Sequence, residues 1–159
     1  MDNIEELQKI DNDGHDEKEK QTGITIAIVA HDGKKVDMMA WATYNRETLS
    51  RYHLIATGTT GRLLHDKVGL EVERLASGPY GGDAQIAARV VEEQVDCVFF
   101  FVDPLDKHPH DPDIQMLMRV CNVHNIPLAT NIATADLIIS SNALLCKHGQ
   151  HTECVHKAA

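Results

Sequence analysis

Two continuous apolar segments constrain the fold of this chain more than any other feature. Residues 24–30 read ITIAIVA and residues 96–103 read DCVFFFVD, and neither segment alternates between apolar and polar side chains. A strand with this pattern is buried on both faces, which is typical of a parallel sheet covered by helices on each side. A polar loop and then a segment with helical spacing of apolar residues follow each strand. The chain is therefore predicted to alternate strands and helices.

Three further strands complete the predicted sheet. They are the shorter segments YHLIAT, LEVERLA and IPLAT, at 52–57, 70–76 and 126–130. Segments in which apolar residues have helical spacing follow the predicted strands, at 36–47, 62–67, from 83 onward, 114–125 and 134–140. The repeated order predicts an α/β fold, a three-layer sandwich with a mainly parallel five-stranded sheet. In such folds ligands bind beyond the carboxyl ends of the strands, where the polar loops of this chain lie.

The 159 residues suit one domain flanked by two tails. Eight acidic residues and three lysines lie in the first twenty positions, without a core-facing pattern. Residues 1–22 are therefore predicted to form a disordered acidic tail, 23–141 the domain, and 142–159 a C-terminal tail. The segment CKHGQHTECVH of the second tail lacks the residue spacing of a zinc site, so no metal is predicted.

Composition argues against several classes of partner. The formal net charge of −9 argues against nucleic acid and anionic membrane surfaces. The chain contains no run of about 18 apolar residues, so no membrane span is predicted. The acidic N-terminus does not predict a secretory signal. The four cysteines lack the spacing of a disulfide framework. We therefore expect reduced thiols and a cytoplasmic protein.

The loop ATGTTG, residues 56–61, joins a predicted strand to a predicted helix. In a structural interpretation, Thr59 or Thr60 caps the helix and Gly58 makes the turn. In a functional one, backbone N–H groups and hydroxyls hold a phosphate. The loop lacks the lysine of a nucleotide-binding P-loop, and by itself it does not decide between the two interpretations.

The loop HDGKK, residues 31–35, ends the first predicted strand. In a structural interpretation, this segment is a turn in a solvated loop. In a functional interpretation, Lys34 or Lys35 brings a positive charge to the same phosphate, and Asp32 faces inward beside it. The sequence leaves these alternatives open.

The loop SGPYGGD, residues 77–83, places three glycines and a proline before one aspartate. Asp83 is well suited to cap the helix that follows. Capping does not explain the glycines, which are used where backbone passes close to a ligand or takes a positive φ. Ser77 and the Gly78 N–H could also reach a phosphate. A cap and a functional role for Asp83 are compatible interpretations.

The segment DPLDKHPHDPD, residues 103–113, has the highest density of polar side chains. Asp111 before a proline predicts an N-cap followed by an N1 proline. Asp113 then lies in the first turn, where the helix dipole favours negative charge. Asp103, at a strand end, and His110 have no such structural role. A histidine held in a loop beside carboxylates is a candidate proton carrier.

Together these motifs resemble the methylglyoxal synthase family. VAHDGKK, ATGTTG, SGPYGGD, DPLDKHPHDPD and ATNIATAD occur in that family's order and approximate spacing, over about residues 24–140. The resemblance implies a Rossmann-like α/β domain that forms homohexamers. It also implies conversion of dihydroxyacetone phosphate to methylglyoxal and inorganic phosphate, without metal or cofactor, under cooperative inhibition by phosphate.

The same resemblance implies roles for individual residues. Asp83 is the expected general base and His110 the expected proton shuttle, and Asp113 belongs with them in the catalytic group. The other side chains expected to line the pocket are those of His31, Asp32 and Asp103. The residues expected to hold the phosphate are Lys35, Thr57, Gly58, Thr59, Thr60, Ser77 and Gly78.

The C-terminal segment departs from the family pattern. In some members an arginine near the C-terminus reaches a phosphate in a neighbouring subunit, whereas no arginine follows Arg119 in this chain. Lys147 or Lys157 is the candidate substitute.

Two other functions are compatible with a phosphate-binding loop of this kind. One is a non-catalytic effector-binding domain, like the related domains that regulate carbamoyl phosphate synthetase. It has no need for Asp83, His110 and Asp113 together. The other is an isomerase acting on the same substrate, which releases no phosphate.

Overall fold

The structure is a computed structural model that describes residues 23–141 and 143–147. Its strands, in chain order, are β1 (Thr25–Ala30), β2 (His53–Ala56), β3 (Glu73–Arg74), β4 (Cys97–Phe101) and β5 (Leu128–Ala129). They form one sheet in the order β3-β2-β1-β4-β5, and each neighbouring pair is parallel. The predicted α/β fold is confirmed, and over the described residues the sheet is wholly rather than mainly parallel.

Seven α-helices lie within the described ranges. They are α1 (Lys35–Tyr44), α2 (Arg46–Leu49), α3 (Gly58–Leu63), α4 (Gly82–Val91), α5 (Asp111–Val123), α6 (Ile132–Ser140) and α7 (Ala143–Lys147). Short 3₁₀ turns at Asp32–Lys34 and Gly78–Tyr80 come before α1 and α4, and a π turn at Leu64–Val68 extends α3. In this part of the chain no helix has both the length and the apolar character that a membrane crossing requires.

The side chains of β1 alternate between two cores, one on each face of the sheet. Ile26 and Ile28 belong to a cluster that contains residues of α1, α2 and α6. Ala27 and Val29 belong to a second cluster, built with α4 and α5. Burial of both faces explains why the strand is apolar throughout, and it makes three layers with the sheet in the middle.

The domain extends beyond its predicted end at residue 141. Leu144 of α7 is 3% exposed and belongs to the same core cluster as β1. The apolar pair Leu144–Leu145 provides the physical reason, since both pack against that core. The predicted tail at 1–22 lies outside the described residues, as do Asn142 and residues 148–159 of the tail predicted at 142–159, Lys157 among them, and the side chain of Lys147.

Two of the helix caps considered from the sequence, the open alternative at Thr59 or Thr60 and the expected cap at Asp111, do not occur in the structure. Helix α3 begins at Gly58, so Thr57 occupies its N-cap position and Thr59 and Thr60 lie in the first turn. Helix α5 begins at Asp111 rather than after it, so the N-cap position belongs to the preceding histidine. Neither N-cap residue makes a side-chain capping hydrogen bond. Both helices start earlier than the sequence pattern indicates, so the hydroxyls of Thr59 and Thr60 do not cap α3.

Candidate active site

A polar pocket of about 200 Å³ lies beyond the carboxyl ends of the central strands. Its walls come from the loops that follow β1, β2, β3 and β4, which the parallel sheet brings to one edge. The lining residues are Val29, Ala30, His31, Asp32, Lys35, Thr57, Thr59, Thr60, Ser77, Gly78, Pro79, Asp83, Asp106, His108 and His110.

Asp83 provides the buried carboxylate of this pocket. It is fully buried in the first turn of α4, and neither carboxylate oxygen has a hydrogen-bond partner among the described residues. Gly81 holds the N-cap position, so the prediction that Asp83 caps α4 is wrong: the helix already begins at Gly82. Burial raises the pKa of Asp83, and the Asp113 carboxylate raises it further, while His110 opposes the change. Asp83 is therefore a stronger base than an ordinary aspartate.

The glycines before Asp83 are explained by the space and backbone conformation they occupy. A Cβ on Gly78 would lie 2.8 Å from His110 Nε2 and 3.4 Å from Asp83 Oδ2. Gly81 has φ +96°, which L side chains rarely adopt. A Cβ on Gly82 would overlap the backbone of the preceding loop. The loop thus packs bare backbone against two of the predicted catalytic residues.

His110 lies beside Asp83, with its Nε2 3.4 Å from Asp83 Oδ2. Its Nδ1 is buried and has no hydrogen-bond partner among the described residues. Its carbonyl oxygen accepts the backbone N–H groups of Asp113 and Ile114, at 3.0 and 3.2 Å. The start of α5 therefore anchors the backbone of His110 and leaves the ring available for proton exchange.

His31 follows β1 and is 5% exposed. The Asp103 backbone N–H donates to His31 Nδ1 at 2.9 Å, so the neutral ring carries its proton on Nε2. That Nε2 is buried without a hydrogen-bond partner in the described part of the chain. Burial lowers the pKa of His31 to about 4, and His108 and His110 contribute to the shift. His31 is therefore a neutral N–H donor at physiological pH.

The opposite end of the pocket is rich in hydroxyl groups and backbone N–H groups. Thr57 and Thr60 are buried, and Thr57 Oγ1 donates to Thr60 Oγ1 at 3.4 Å. The N–H groups of Thr59 and Thr60 lie in the first turn of α3, where a helix offers no intrahelical acceptor. Ser77 completes this wall. The arrangement suits an anion with several acceptor oxygens.

Lys35 brings a positive charge to the pocket, and Lys34 does not. Lys35 contacts Asp32, whose carboxylate is 93% exposed, while the lysine side chain is only 16% exposed. This contact lowers the pKa of Asp32. Lys34 instead faces Asp37 at 3.9 Å and lines a different cavity. The structure therefore places Lys35, the residue that the family resemblance implies, in the pocket wall, and Lys34 outside it.

Comparisons with known proteins show the family of the chain. The family model described as MGS-like domain matches residues 37–130. A methylglyoxal synthase of Clostridium botulinum is 54% identical over 114 residues, which cover 72% of this chain and 96% of the relative. The chain belongs to the methylglyoxal synthase family.

Other members of the family give the same result. The methylglyoxal synthases of Ralstonia nicotianae and Thermus thermophilus are 56% and 53% identical over 72% of this chain, and 84% and 91% of their own lengths are covered. The crystal structure of methylglyoxal synthase from Elizabethkingia anophelis superposes with a TM-score of 0.73 at 46% identity, covering 76% of this chain and 80% of that one. The resemblance, the fold and the enzyme class predicted from the sequence are confirmed.

Three residues implied by the family resemblance lie outside the pocket wall. Gly58 packs against the backbone of the loop after β3, and its N–H donates to a carbonyl there at 3.1 Å. Asp103 turns its carboxylate to the Leu105 N–H at 3.1 Å and acts on the pocket through its backbone N–H. Asp113 lies in the first turn of α5, as predicted, and affects Asp83 through its charge.

Sequence reasoning missed Pro79, Asp106 and His108, which also line the pocket. The His108 ring stacks on the His31 ring with centroids 3.5 Å apart and planes inclined by 23°. The available signal was the repeat in His-Pro-His, in which only the second histidine was singled out. Despite these clustered histidines, no group of three or more His, Cys, Asp and Glu side chains in the described ranges is arranged to hold a metal ion.

Proposed function

We propose that the protein is a carbon–oxygen lyase that converts dihydroxyacetone phosphate to methylglyoxal and inorganic phosphate through an enediol. The observation that carries this proposal is the Asp83 carboxylate, which lines the pocket, is fully buried and lacks a hydrogen-bond partner among the described residues. An ionised carboxylate that is buried without a hydrogen-bond partner destabilises the folded protein. A catalytic role is the best explanation for keeping such a group. The names of the curated relatives state the same product.

The first step is removal of a proton from the hydroxymethyl carbon beside the substrate carbonyl. An ordinary aspartate, with a pKa of about 3.9, is a weak base toward such a carbon. Burial raises the pKa of Asp83 and so strengthens it as a base. The electron pair of the broken C–H bond forms the carbon–carbon double bond of the enediolate.

Charge that develops on the carbonyl oxygen requires a nearby donor. His31 offers its Nε2–H as a neutral ring, because its pKa is lowered to about 4. His110, 3.4 Å from Asp83, moves a proton between the two oxygens of the enediol. The two rings lie with centroids 6.1 Å apart, so they serve different positions on one small substrate.

The second step expels phosphate from the carbon on the other side of the carbonyl. The breaking C–O bond must stand perpendicular to the enediolate plane, where it overlaps the π system. Thr57, Thr60, Ser77 and Lys35 fix the phosphate and so set that angle. The terminal hydroxyl of the enediol loses its proton and becomes the aldehyde carbonyl, the electrons of the double bond move toward the phosphate-bearing carbon, and the C–O bond breaks with its electron pair on phosphate. The remaining enol gains a proton at its methylene carbon, loses the proton of its hydroxyl and becomes methylglyoxal.

Assembly and regulation belong to the same proposal. We place the protein in the cytoplasm as a homohexamer that inorganic phosphate inhibits cooperatively, with no nucleic acid, membrane, metal or cofactor taking part. Tyr44 and Leu137 are 89% and 73% exposed in the single chain, and an oligomer would cover such large apolar side chains. The phosphate end of the pocket would bind inorganic phosphate through the same contacts that hold the substrate.

Purified protein incubated with dihydroxyacetone phosphate tests the proposal. We expect inorganic phosphate and a dicarbonyl to be released in equal amounts. An isomerase would give the isomeric triose phosphate without phosphate release, and a regulatory domain would give neither product. Replacement of His110 by Gln is expected to slow release by about 10²- to 10⁴-fold, whereas His124→Gln, at the far end of α5, serves as a matched control.

A further inference from the structure

A histidine without an assigned role lies against the proposed active site. His108 lines the pocket, and its ring is stacked on His31 with 3.5 Å between ring centroids. It lies 5.9 Å from His110, measured between ring centroids. His108 is thus in contact with the proposed N–H donor and at some distance from the proton shuttle.

The main chain of Asp103 contacts both of the stacked rings. The Asp103 N–H donates to His31 Nδ1 at 2.9 Å. The carbonyl oxygen of Asp103 lies 3.3 Å from His108 Nε2, so that nitrogen is the donor of the contact. Asp103 therefore sets the orientation of both imidazoles through its main chain, which gives this residue a role without its carboxylate.

We propose that His108 is a positioning residue that keeps His31 neutral, with its proton on Nε2, for donation to the substrate carbonyl oxygen. The inference rests on the proposed function, because it names the task of His31 in that reaction. His108 performs this task by covering one face of the His31 ring and by turning its own Nε2–H to Asp103.

Two physical effects support this role. The stacked ring excludes water from His31, and burial is the main reason why the pKa of His31 lies at about 4. A positive charge on His108 also disfavours a positive charge on His31, which is in contact with it. If His31 took a second proton, its Nδ1–H would oppose the Asp103 N–H and break the hydrogen bond that orients the ring. The ionisable groups that line the pocket or act on the charge of His31, besides His108, are Asp32, Lys35, Asp83, Asp103, Asp106 and His110.

The test combines two variants with one control. His108→Leu removes the ring, His108→Phe keeps a ring that can stack, and His124→Leu removes a histidine from the far end of α5. Nitrogen-15 NMR of the full chain reports the tautomer and titration of His31, and phosphate release from dihydroxyacetone phosphate is followed from about pH 5 to about pH 8.5.

In wild type and His124→Leu we expect His31 to stay neutral, with Nε2 protonated, above about pH 5.5. In His108→Leu the titration midpoint should move from about 4 toward 6.5, and release at about pH 5.5 should fall up to about tenfold relative to release at about pH 8. His108→Phe should restore much of the wild-type behaviour.

Two results would overturn the inference. One is a His31 titration that is the same in wild type and in both His108 variants. The other is a loss of rate that is equal at every pH, which would mean that His108 acts on the substrate directly. Failure of wild type to release phosphate would refute the proposed function, while the NMR titration would still decide whether His108 keeps His31 neutral.

Discussion

Replacing Gly78 by alanine adds one methyl group between the two proposed proton carriers. The new Cβ would lie 2.8 Å from His110 Nε2, 3.3 Å from His110 Cδ2 and 3.4 Å from Asp83 Oδ2. Only the last of these is an ordinary contact distance. The His110 ring must therefore retreat by about 0.6 Å, since its contacts with the new methyl group are too short and the contact with Asp83 is already of ordinary length.

Such a displacement is large for a proton-transfer geometry. A misplacement of about 1 Å can cost about 10²-fold in rate, so we expect kcat to fall by about 10- to 10²-fold. The free energy of unfolding should change by less than about 1 kcal/mol, because the added methyl meets only a side chain that can shift.

Gly81→Ala is the matched control in the same loop. A Cβ there has nothing within 4 Å, but φ is +96°, so the variant should lose about 1–2 kcal/mol of stability and keep its kcat. Phosphate release measures kcat, and urea denaturation measures stability. The reasoning is refuted if Gly78→Ala retains full kcat, or if both variants lose kcat only in proportion to their loss of folded protein.

Three other predictions follow from the site. Asp83→Asn should reduce phosphate release by about 10³-fold yet bind inorganic phosphate normally; near-normal turnover would remove Asp83 as the base. Lys35→Met should weaken phosphate binding by about tenfold in calorimetry, whereas Lys34→Met should leave it unchanged. Equal effects would contradict the placement of Lys35 in the pocket wall and of Lys34 beside Asp37. His31 has a folded-state pKa of about 4, below its ordinary 6.5, so the unfolded chain gains the proton first as pH falls. Wild-type stability should then drop between these values, by at most about 3 kcal/mol, and His31→Gln should flatten that dependence in urea denaturation; an equally steep drop in the variant would contradict it.

Much of the architecture follows from local patterns in the sequence. The runs at 24–30 and 96–103 predicted β1 and β4, because a strand covered on both faces must be apolar at every position. The two-residue strands β3 and β5 were predicted too long. Both lie at sheet edges, where pairing ends on one side and residue composition is a weak guide to strand length.

The site could be predicted in part. Asp83 and His110 were singled out because ordinary turn and cap chemistry left the glycines and the histidine unexplained. The contact between His108 and His31 could not be predicted, since the two residues are distant in the chain and no spacing rule relates them. The loop pattern alone could not separate Lys35 from Lys34, because adjacent residues differ only in the direction their side chains take, and Lys35 was named only through the family resemblance.

Local patterns were sufficient to establish the alternation of strands and helices, the polar loops at the strand ends and the family to which the motifs belong. These properties depend on neighbouring residues, whose hydrophobicity and backbone freedom act locally. Three-dimensional packing was needed to show that Asp83 lacks a hydrogen-bond partner among the described residues, that Gly78 has no room for a side chain beside His110, and that His108 covers His31. Those facts depend on the sheet order β3-β2-β1-β4-β5, which brings the ends of separate strands to one edge and so sets the distances between residues far apart in the chain.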